Sequence, residues 1–278
     1  MTQLLKPMTF LSLFTGIVTG SWLLTGCGKS ARNGYRVEDG KVVLYSGFPA
    51  SVRLLEGADA ESFVAITDHF GKDKNHAYFY ERIIPDADPA TFTFLASSYS
   101  RDKNRGYSCE KLISNDGAHF NIVPNPNETA TSVSAEGIPY ARDRRQVYKD
   151  TNVIEGADPA TFTMVPMFNG IYLTYDHRRV YFHDQPLEGA DGATFQKVSE
   201  FHFTTQQGAW GLALGRETHW ERMPDVDLAT FTGLGKNHAR DKNHVYSGNS
   251  VLKKADPNTF QETGNPSVDR SEDTNKTL

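Results

Sequence analysis

Residues 87–107, ADPATFTFLASSYSRDKNRGY, hold the two elements that decide the fold. The first is Ala87-Asp88-Pro89-Ala90-Thr91-Phe92, an aspartate followed four residues later by phenylalanine. The second is Asp102-Lys103-Asn104 leading to Tyr107, an aspartate followed five residues later by tyrosine. Asp followed by Pro suits the start of a helical turn. The carboxylate accepts from free backbone amides, and proline loses nothing by lacking an N–H there. Such a segment is too short to be a helix alone, so it is read as one helical turn that drops Phe92 into a core. Asp-Lys-Asn between β-rich flanks reads as a hairpin turn: the Asp carboxylate can accept from backbone amides two residues on, and Asn tolerates a left-handed backbone.

Both elements recur along the chain. The Asp-to-Phe element ends at Phe63, Phe92, Phe120, Phe162, Phe195, Phe231 and Phe260. The turn element starts at Asp73, Asp102, Asp143, Asp176 and Asp241 and leads to Tyr78, Tyr107, Tyr148, Tyr181 and Tyr246. Regular copies have a period of 29 residues. Fully burying one phenylalanine stabilises by roughly 1.5–3 kcal/mol, so seven such rings weigh as much as the net stability of a domain. Units this short bury their faces only by packing on neighbours. The fold expected is therefore all-β: an array of about seven units, each a β-hairpin plus a short helical turn. A four-stranded propeller blade takes about 40–45 residues. The shorter period favours two or three strands per unit and an open or curved array over a closed propeller-like ring.

Two stretches break the period. The chain between Phe120 and Asp143 is lengthened around Pro124-Asn125-Pro126-Asn127-Glu128-Thr129, a loop by composition. Between Phe195 and Phe231 there is no Asp-Lys-Asn; Phe201-His202-Phe203-Thr204-Thr205-Gln206-Gln207-Gly208-Ala209-Trp210 stands in its place, followed by Trp220. This irregular copy supplies the candidate partner-binding residues Trp210, Trp220 and His202, with the two tryptophans expected to be exposed. Residues 264–278 are polar and are expected to be a disordered tail.

The amino terminus carries an address. Met8 to Leu24 is uncharged and largely apolar, Lys6 precedes it, and it ends in Leu24-Thr25-Gly26-Cys27. This is the layout of a secretory signal over residues 1–26. The small residues before Cys27 resemble the lipobox of bacterial lipoproteins. That resemblance implies cleavage before Cys27, with palmitate-type acyl chains on its thiol and its new amine. Two or three chains give stable anchoring where one is marginal. Residues 27–38 are then a tether and 39–263 the repeat domain. Gly28 and Lys29, rather than Asp, follow the cysteine. The resemblance then places the protein on the outer membrane, facing the periplasm, rather than on the inner one.

The pairing of a lipobox with Asp-Lys-Asn-x-x-Tyr hairpins resembles the DKNYY family of bacterial proteins, most clearly at Asp73 to Tyr80, Asp102 to Tyr107 and Asp241 to Tyr246. Asp143 and Asp176 depart from it, with Arg144-Arg145 and His177-Arg178 after them. The resemblance implies an architecture and a habitat, not a reaction.

A net charge of −5 gives no basic stripe for nucleic acid. A mean hydropathy of −0.51 excludes a polytopic membrane protein. With two cysteines there is no disulfide framework, and Cys109 reads as a half-buried strand residue. Asp-x-Asn begins calcium loops, but Ala77 and Gly106 stand where further oxygen ligands belong, and arginines replace the Asn in two copies. No His-Glu-x-x-His, Gly-x-Ser-x-Gly, phosphate-loop or dinucleotide motif occurs. The sequence therefore offers no catalytic residue, no metal site and no cofactor. The leading expectation is a non-enzymatic, lipid-anchored envelope module that binds an envelope protein or cell-wall glycan. The alternatives are an envelope hydrolase of glycan or ester substrates and a toxin-neutralising lipoprotein.

Overall fold

The computed structural model describes residues 33–49, 51–124 and 140–262. The leader, Cys27, most of the 121–142 insertion and the tail lie outside them. The described chain is all-β, with a single 3-10 turn at Gly192–Thr194. It forms one three-stranded and six four-stranded antiparallel sheets. In each, neighbouring strands are consecutive in sequence. Sheet 1 covers 34–54, sheet 2 64–83, sheet 3 93–114, sheet 4 121–153, sheet 5 163–186, sheet 6 196–223 and sheet 7 232–251. Gly34–Glu38, expected to be tether, pairs with Lys41–Ser46 as the first hairpin. Its Tyr35 and Val37 alternate with polar residues, as a strand requires.

Sheet 2 shows the unit. Its strands are Val64–Ala65, Phe70–Lys72, Ala77–Phe79 and Arg82–Ile83. The expected two or three strands are thus four, because each is only a few residues long and the unit turns tightly. The Asp-Lys-Asn turn joins the second and third strands, as expected. Tyr78 lies opposite Gly71. The same register sets Tyr107 against Ser100, Tyr148 against Ala141, Tyr181 against Thr174 and Tyr246 against Ala239. A small residue opposite each tyrosine leaves room for a phenyl ring.

The left-handed residue is not the Asn of the turn. It falls two residues after the tyrosine, where the third and fourth strands join: Tyr80 (φ 51°), Cys109 (φ 54°), Asp150 (φ 52°), His183 (φ 46°) and Gly248 (φ 57°). Cys109 is accordingly a half-buried turn residue rather than a strand residue. Burial, followed by the Glu110 charge, pushes its thiol pKa up, away from reactivity.

Six of the seven phenylalanines sit between successive sheets, and the seventh, Phe260, packs on His238 of sheet 7 at 5.2 Å. Phe63 lies 5.2 Å from Tyr35 of sheet 1 and 5.9 Å from Tyr78 of sheet 2. Phe92 bridges Phe70 and Tyr107, Phe120 bridges Tyr99 and Tyr148, and Phe162 bridges Tyr140 and Tyr181. Phe195 bridges Tyr175 and Phe203, and Phe231 bridges His202 and Tyr246. Phe92, Phe120, Phe162 and Phe260 are buried, and the other three are half-buried. Among the described residues there are six hydrophobic clusters, one for each junction between consecutive sheets. None joins sheet 7 to sheet 1, so the array is open.

Candidate functional site

The repeated carboxylates have structural duties. Asp102 Oδ1 accepts from the backbone N–H of Asn104 (2.7 Å) and Arg105 (2.8 Å) and so shapes the turn. Its Oδ2 accepts from the Tyr107 hydroxyl (2.8 Å) and from the N–H of Asp88 (3.0 Å), which begins the helical turn. One carboxylate thereby clamps turn, strand and helical turn together. Asp73, Asp176 and Asp241 do the same. At Asp143 the Ser114 hydroxyl intervenes: it donates to Asp143 (2.6 Å) and accepts from Asp116 N–H (3.1 Å). That relay offsets the one-residue shortening between Tyr107 and Asp116. Burial pushes the Asp102 pKa up, but the N–H and O–H donors outweigh it and the net shift is downward.

In six of the seven copies the Asp of the Asp-to-Phe element caps its own helical turn, whereas the Asp116 carboxylate binds the His119 and Arg144 side chains. Asp88 Oδ1 accepts from Ala90 N–H, and Asp158 Oδ1 from Ala160 N–H. The lysine of the turn pairs with this cap: Lys74 with Asp59 at 2.7 Å, Lys103 with Asp88 at 3.1 Å. Arg144 and His177 keep the contact, to Asp116 and Asp158. Asp, Lys, Tyr and Phe of the repeat are thus all used by the scaffold.

Singular chemistry must come from where the repeat departs from itself. In sheet 6, Thr205 stands where the clamp Asp belongs and Trp210, five residues on, where the tyrosine belongs. Thr205 Oγ1 still accepts from Gln207 N–H (3.0 Å), and Thr194 Oγ1 from Gln206 N–H (2.9 Å). The small-residue partner becomes Phe203, which lies opposite Trp210. The expectation that Trp210 and Trp220 are exposed is therefore corrected. They are 2% and 6% exposed, because Trp210 stacks on Phe203 at 5.1 Å and 2° while Trp220 meets the same ring edge-on at 5.1 Å.

His202, the third candidate, is wholly buried. It lies three residues before Thr205. The residues three before the clamp Asp in the other sheets are Phe70, Tyr99, Tyr140, Leu173 and His238. Polar members of this row reach the next sheet: the Tyr99 hydroxyl accepts from Asp150 N–H (2.7 Å). His202 Nε2 bonds to the Gly248 carbonyl (2.8 Å), and its Nδ1 to the Ser199 hydroxyl (2.7 Å). Burial pulls its pKa down to about 4. His202 is a joint between sheets 6 and 7.

His238 holds the same position in sheet 7, the last of the described sheets. It is 2% exposed, and neither ring nitrogen has a hydrogen-bond partner among the described residues. Glu262 Oε2 stands 3.6 Å from its Nδ1. The repeat alignment is the signal that could have singled it out, since only sheets 6 and 7 carry histidine there.

His238 lines a cleft of about 470 Å³ at the junction of sheets 6 and 7. The cause is local. The third strand of sheet 6, Gly208–Ala213, has six residues, and residues 214–218 loop out before His219–Met223. The tight left-handed turn of the other units is absent there. Phe168, Phe201, Leu212, Leu214 and Leu252 give the cleft an apolar wall, and Asn237, His238, Ser247 and Asn249 a polar one. No group of three or more His, Cys, Asp or Glu able to hold a metal occurs among the described residues.

Comparison with protein families matches the DKNYY family over residues 50–111 and 140–277. The chain belongs to the DKNYY family. The two matched segments flank the insertion before Tyr140, so family membership covers sheets 2, 5, 6 and 7 entirely and most of sheets 3 and 4. Searches of curated proteins and of solved structures find no match.

Proposed function

We propose that this DKNYY protein is a lipid-anchored, non-enzymatic binding module of the bacterial envelope, held by Cys27 and presenting the junction of sheets 6 and 7 to its partner. The observation that carries the reading is the division of labour among its residues. Regular copies spend their carboxylates, tyrosines and phenylalanines on the scaffold, whereas the one irregular copy opens a 470 Å³ cleft. Binding clefts commonly span about 300–1,000 Å³ and combine apolar walls with few polar groups. The anchor rests on Leu24-Thr25-Gly26-Cys27, and the outer-membrane address on Gly28 and Lys29 after it.

Two measurements test it. Cys27→Ser is expected to yield an uncleaved precursor without fatty-acid label; retained label contradicts the anchor. A photo-crosslinking side chain at Leu214, which is 48% exposed at the cleft mouth, is expected to give a discrete adduct in living cells. The same probe at Leu112, exposed on sheet 3, is expected to give none. Equal labelling at both positions contradicts the assignment of the binding face.

A further inference from the structure

We infer that the Phe48 hairpin of sheet 1 dips into an anionic bilayer surface and fixes the first sheet of the array against the membrane. The inference rests on the Cys27 anchor proposed above and goes further in naming a second contact with lipid. It starts from a face left without a neighbour. Tyr78, Tyr107, Tyr148, Tyr181 and Tyr246 each pack on the phenylalanine that precedes their sheet. In sheet 1 the register puts Val43 in that row, opposite Leu54 as Tyr78 is opposite Ile83. The first such phenylalanine, Phe63, lies on the other face, against Tyr35. Sheet 1 also departs from the unit in length. Where sheet 2 turns tightly after Phe79, sheet 1 adds two strand pairs, Tyr45 with Val52 and Ser46 with Ser51, and a loop that carries Gly47, Phe48 and Pro49. Phe48 is 98% exposed, and Val52, behind it on the open face, is 54% exposed. Leu54 is exposed no more than Ile83 or Leu112 in other sheets, so the excess apolar surface is that of the added hairpin.

The chain's connection says which surface this hairpin meets. Gly34, the first residue of sheet 1, pairs with Tyr45, so the chain from Cys27 enters at the end of the sheet from which Phe48 projects. Cys27 lies seven residues before Gly34, a stretch that spans at most about 25 Å. Acyl chains on Cys27 thus hold this end of sheet 1 close to the lipid. The charges have the matching sign. The charged side chains between Cys27 and Val37 are Lys29, Arg32 and Arg36, all basic, and Asp68 beside Gly34 offsets one of them. Basic residues next to a membrane anchor are drawn to anionic headgroups. Arg36 lies 4.2 Å from the centre of the Tyr45 ring, whose hydroxyl donates to Glu38 at 2.9 Å. Glu38, paired with Lys41, is at the end of the sheet away from Phe48. An apolar tip beside the anchor, with the acid at the far end, has the polarity of a hairpin that enters lipid, and aromatic rings favour the lipid–water interface. A second copy of the chain offers no such match. Phe260, the one repeat phenylalanine without a following sheet among the described residues, is already buried on His238. An anchor alone limits a domain's distance from the bilayer; a second contact sets its orientation.

The test uses the full-length protein, expressed in bacteria, purified from membranes and reconstituted in vesicles of phosphatidylcholine and phosphatidylglycerol. Brominated acyl chains in these vesicles quench a tryptophan only on contact. Phe48→Trp puts the probe at an exposed site, and the unmodified protein gives the background of the buried Trp210 and Trp220. The added emission is expected to be at least halved by bromine, whereas Leu112→Trp, exposed on sheet 3, is expected to be unquenched. Flotation with the vesicles reads the anchor separately. Val52→Asp, added to Phe48→Trp, is expected to abolish the quenching and keep the flotation. Vesicles of phosphatidylcholine alone are expected to reduce the quenching at least twofold. Flotation without quenching of Phe48→Trp, equal quenching of both probes, or quenching unchanged by Val52→Asp or by neutral lipid overturns the inference and leaves the anchor standing. A blue-shifted Phe48→Trp emission untouched by bromine assigns the face to protein, a second copy included, and overturns it likewise. Protein that fails to float overturns the anchor, and the inference with it.

Discussion

Exchanging Asp102 for asparagine removes one negative charge and one acceptor from the most connected side chain in its sheet. The carboxylate takes four hydrogen bonds, two on each oxygen. Asparagine keeps a carbonyl oxygen for the turn amides of Asn104 and Arg105. It presents an NH2 to Asp88 N–H and to the Tyr107 hydroxyl, so donors face donors. Hydrogen bonds to charged groups contribute about 1.5–3 kcal/mol each. The backbone N–H has no means of turning away, while the hydroxyl can rotate. The expected loss for Asp102→Asn is therefore about 3–4 kcal/mol. Tyr107→Phe leaves three donors on the carboxylate and is expected to cost about 1.5 kcal/mol. In the double variant the hydroxyl has no acceptor left to lose, so the two costs should fall short of additivity by about 1–1.5 kcal/mol. Urea unfolding followed by far-UV circular dichroism measures all four proteins of the cycle. A loss below about 0.5 kcal/mol for Asp102→Asn, or strict additivity, refutes the clamp.

Gly106 lies against the Phe120 ring, so a Cβ there would overlap ring carbons. Gly106→Ala is expected to destabilise by about 1–3 kcal/mol, read as a lower denaturation midpoint, even though Ala77 and Ala209 hold the same place in other sheets. His202 has a folded pKa near 4 against an ordinary 6.5. The unfolded chain therefore binds its proton first, and the stabilisation is full above pH 6.5 and lost as pH falls toward 4. The loss amounts to about 3 kcal/mol. His202→Leu, which copies Leu173, should flatten that part of the stability–pH curve measured by denaturant titration. The clamp aspartates have pKa values shifted down, so their contribution is present above the ordinary carboxylate range near pH 4 and is lost below it. Acid unfolding should accordingly show two windows, and only the upper one should respond to His202→Leu.

The scaffold was legible because its chemistry is repeated at fixed spacing. Asp88 as a cap, Asp102 as a turn former and Phe92 as a core ring follow from residue type and position. The strand count was not legible, since strands such as Val64–Ala65 are too short to show alternation. Nor was the left-handed position, which falls on residues as unlike as Tyr80, Asp150 and His183 and is set by the tight join between strands. The tryptophans misled because they stand in the least regular copy. Their burial comes from a paired change, Phe203 with Trp210, that shows only when the strands are set in register. His238 was hidden for another reason: it stands out only when the sheets are set in register, in the last described sheet with Glu262 Oε2 3.6 Å from its Nδ1.

The central claim is that each of the six phenylalanines from Phe63 to Phe231 joins two sheets, so that neighbouring units stand or fall together. Phe162 is 2% exposed and lies 5.6 Å from Tyr140 in sheet 4 and 5.8 Å from Tyr181 in sheet 5. Its truncation to alanine is the most direct measurement, with urea unfolding followed both by circular dichroism and by the fluorescence of Trp210 and Trp220 in sheet 6. Joined sheets predict a loss of about 3–5 kcal/mol with both signals shifted to lower urea. A loss under about 1 kcal/mol, or a tryptophan transition that stays where it was, would contradict the account.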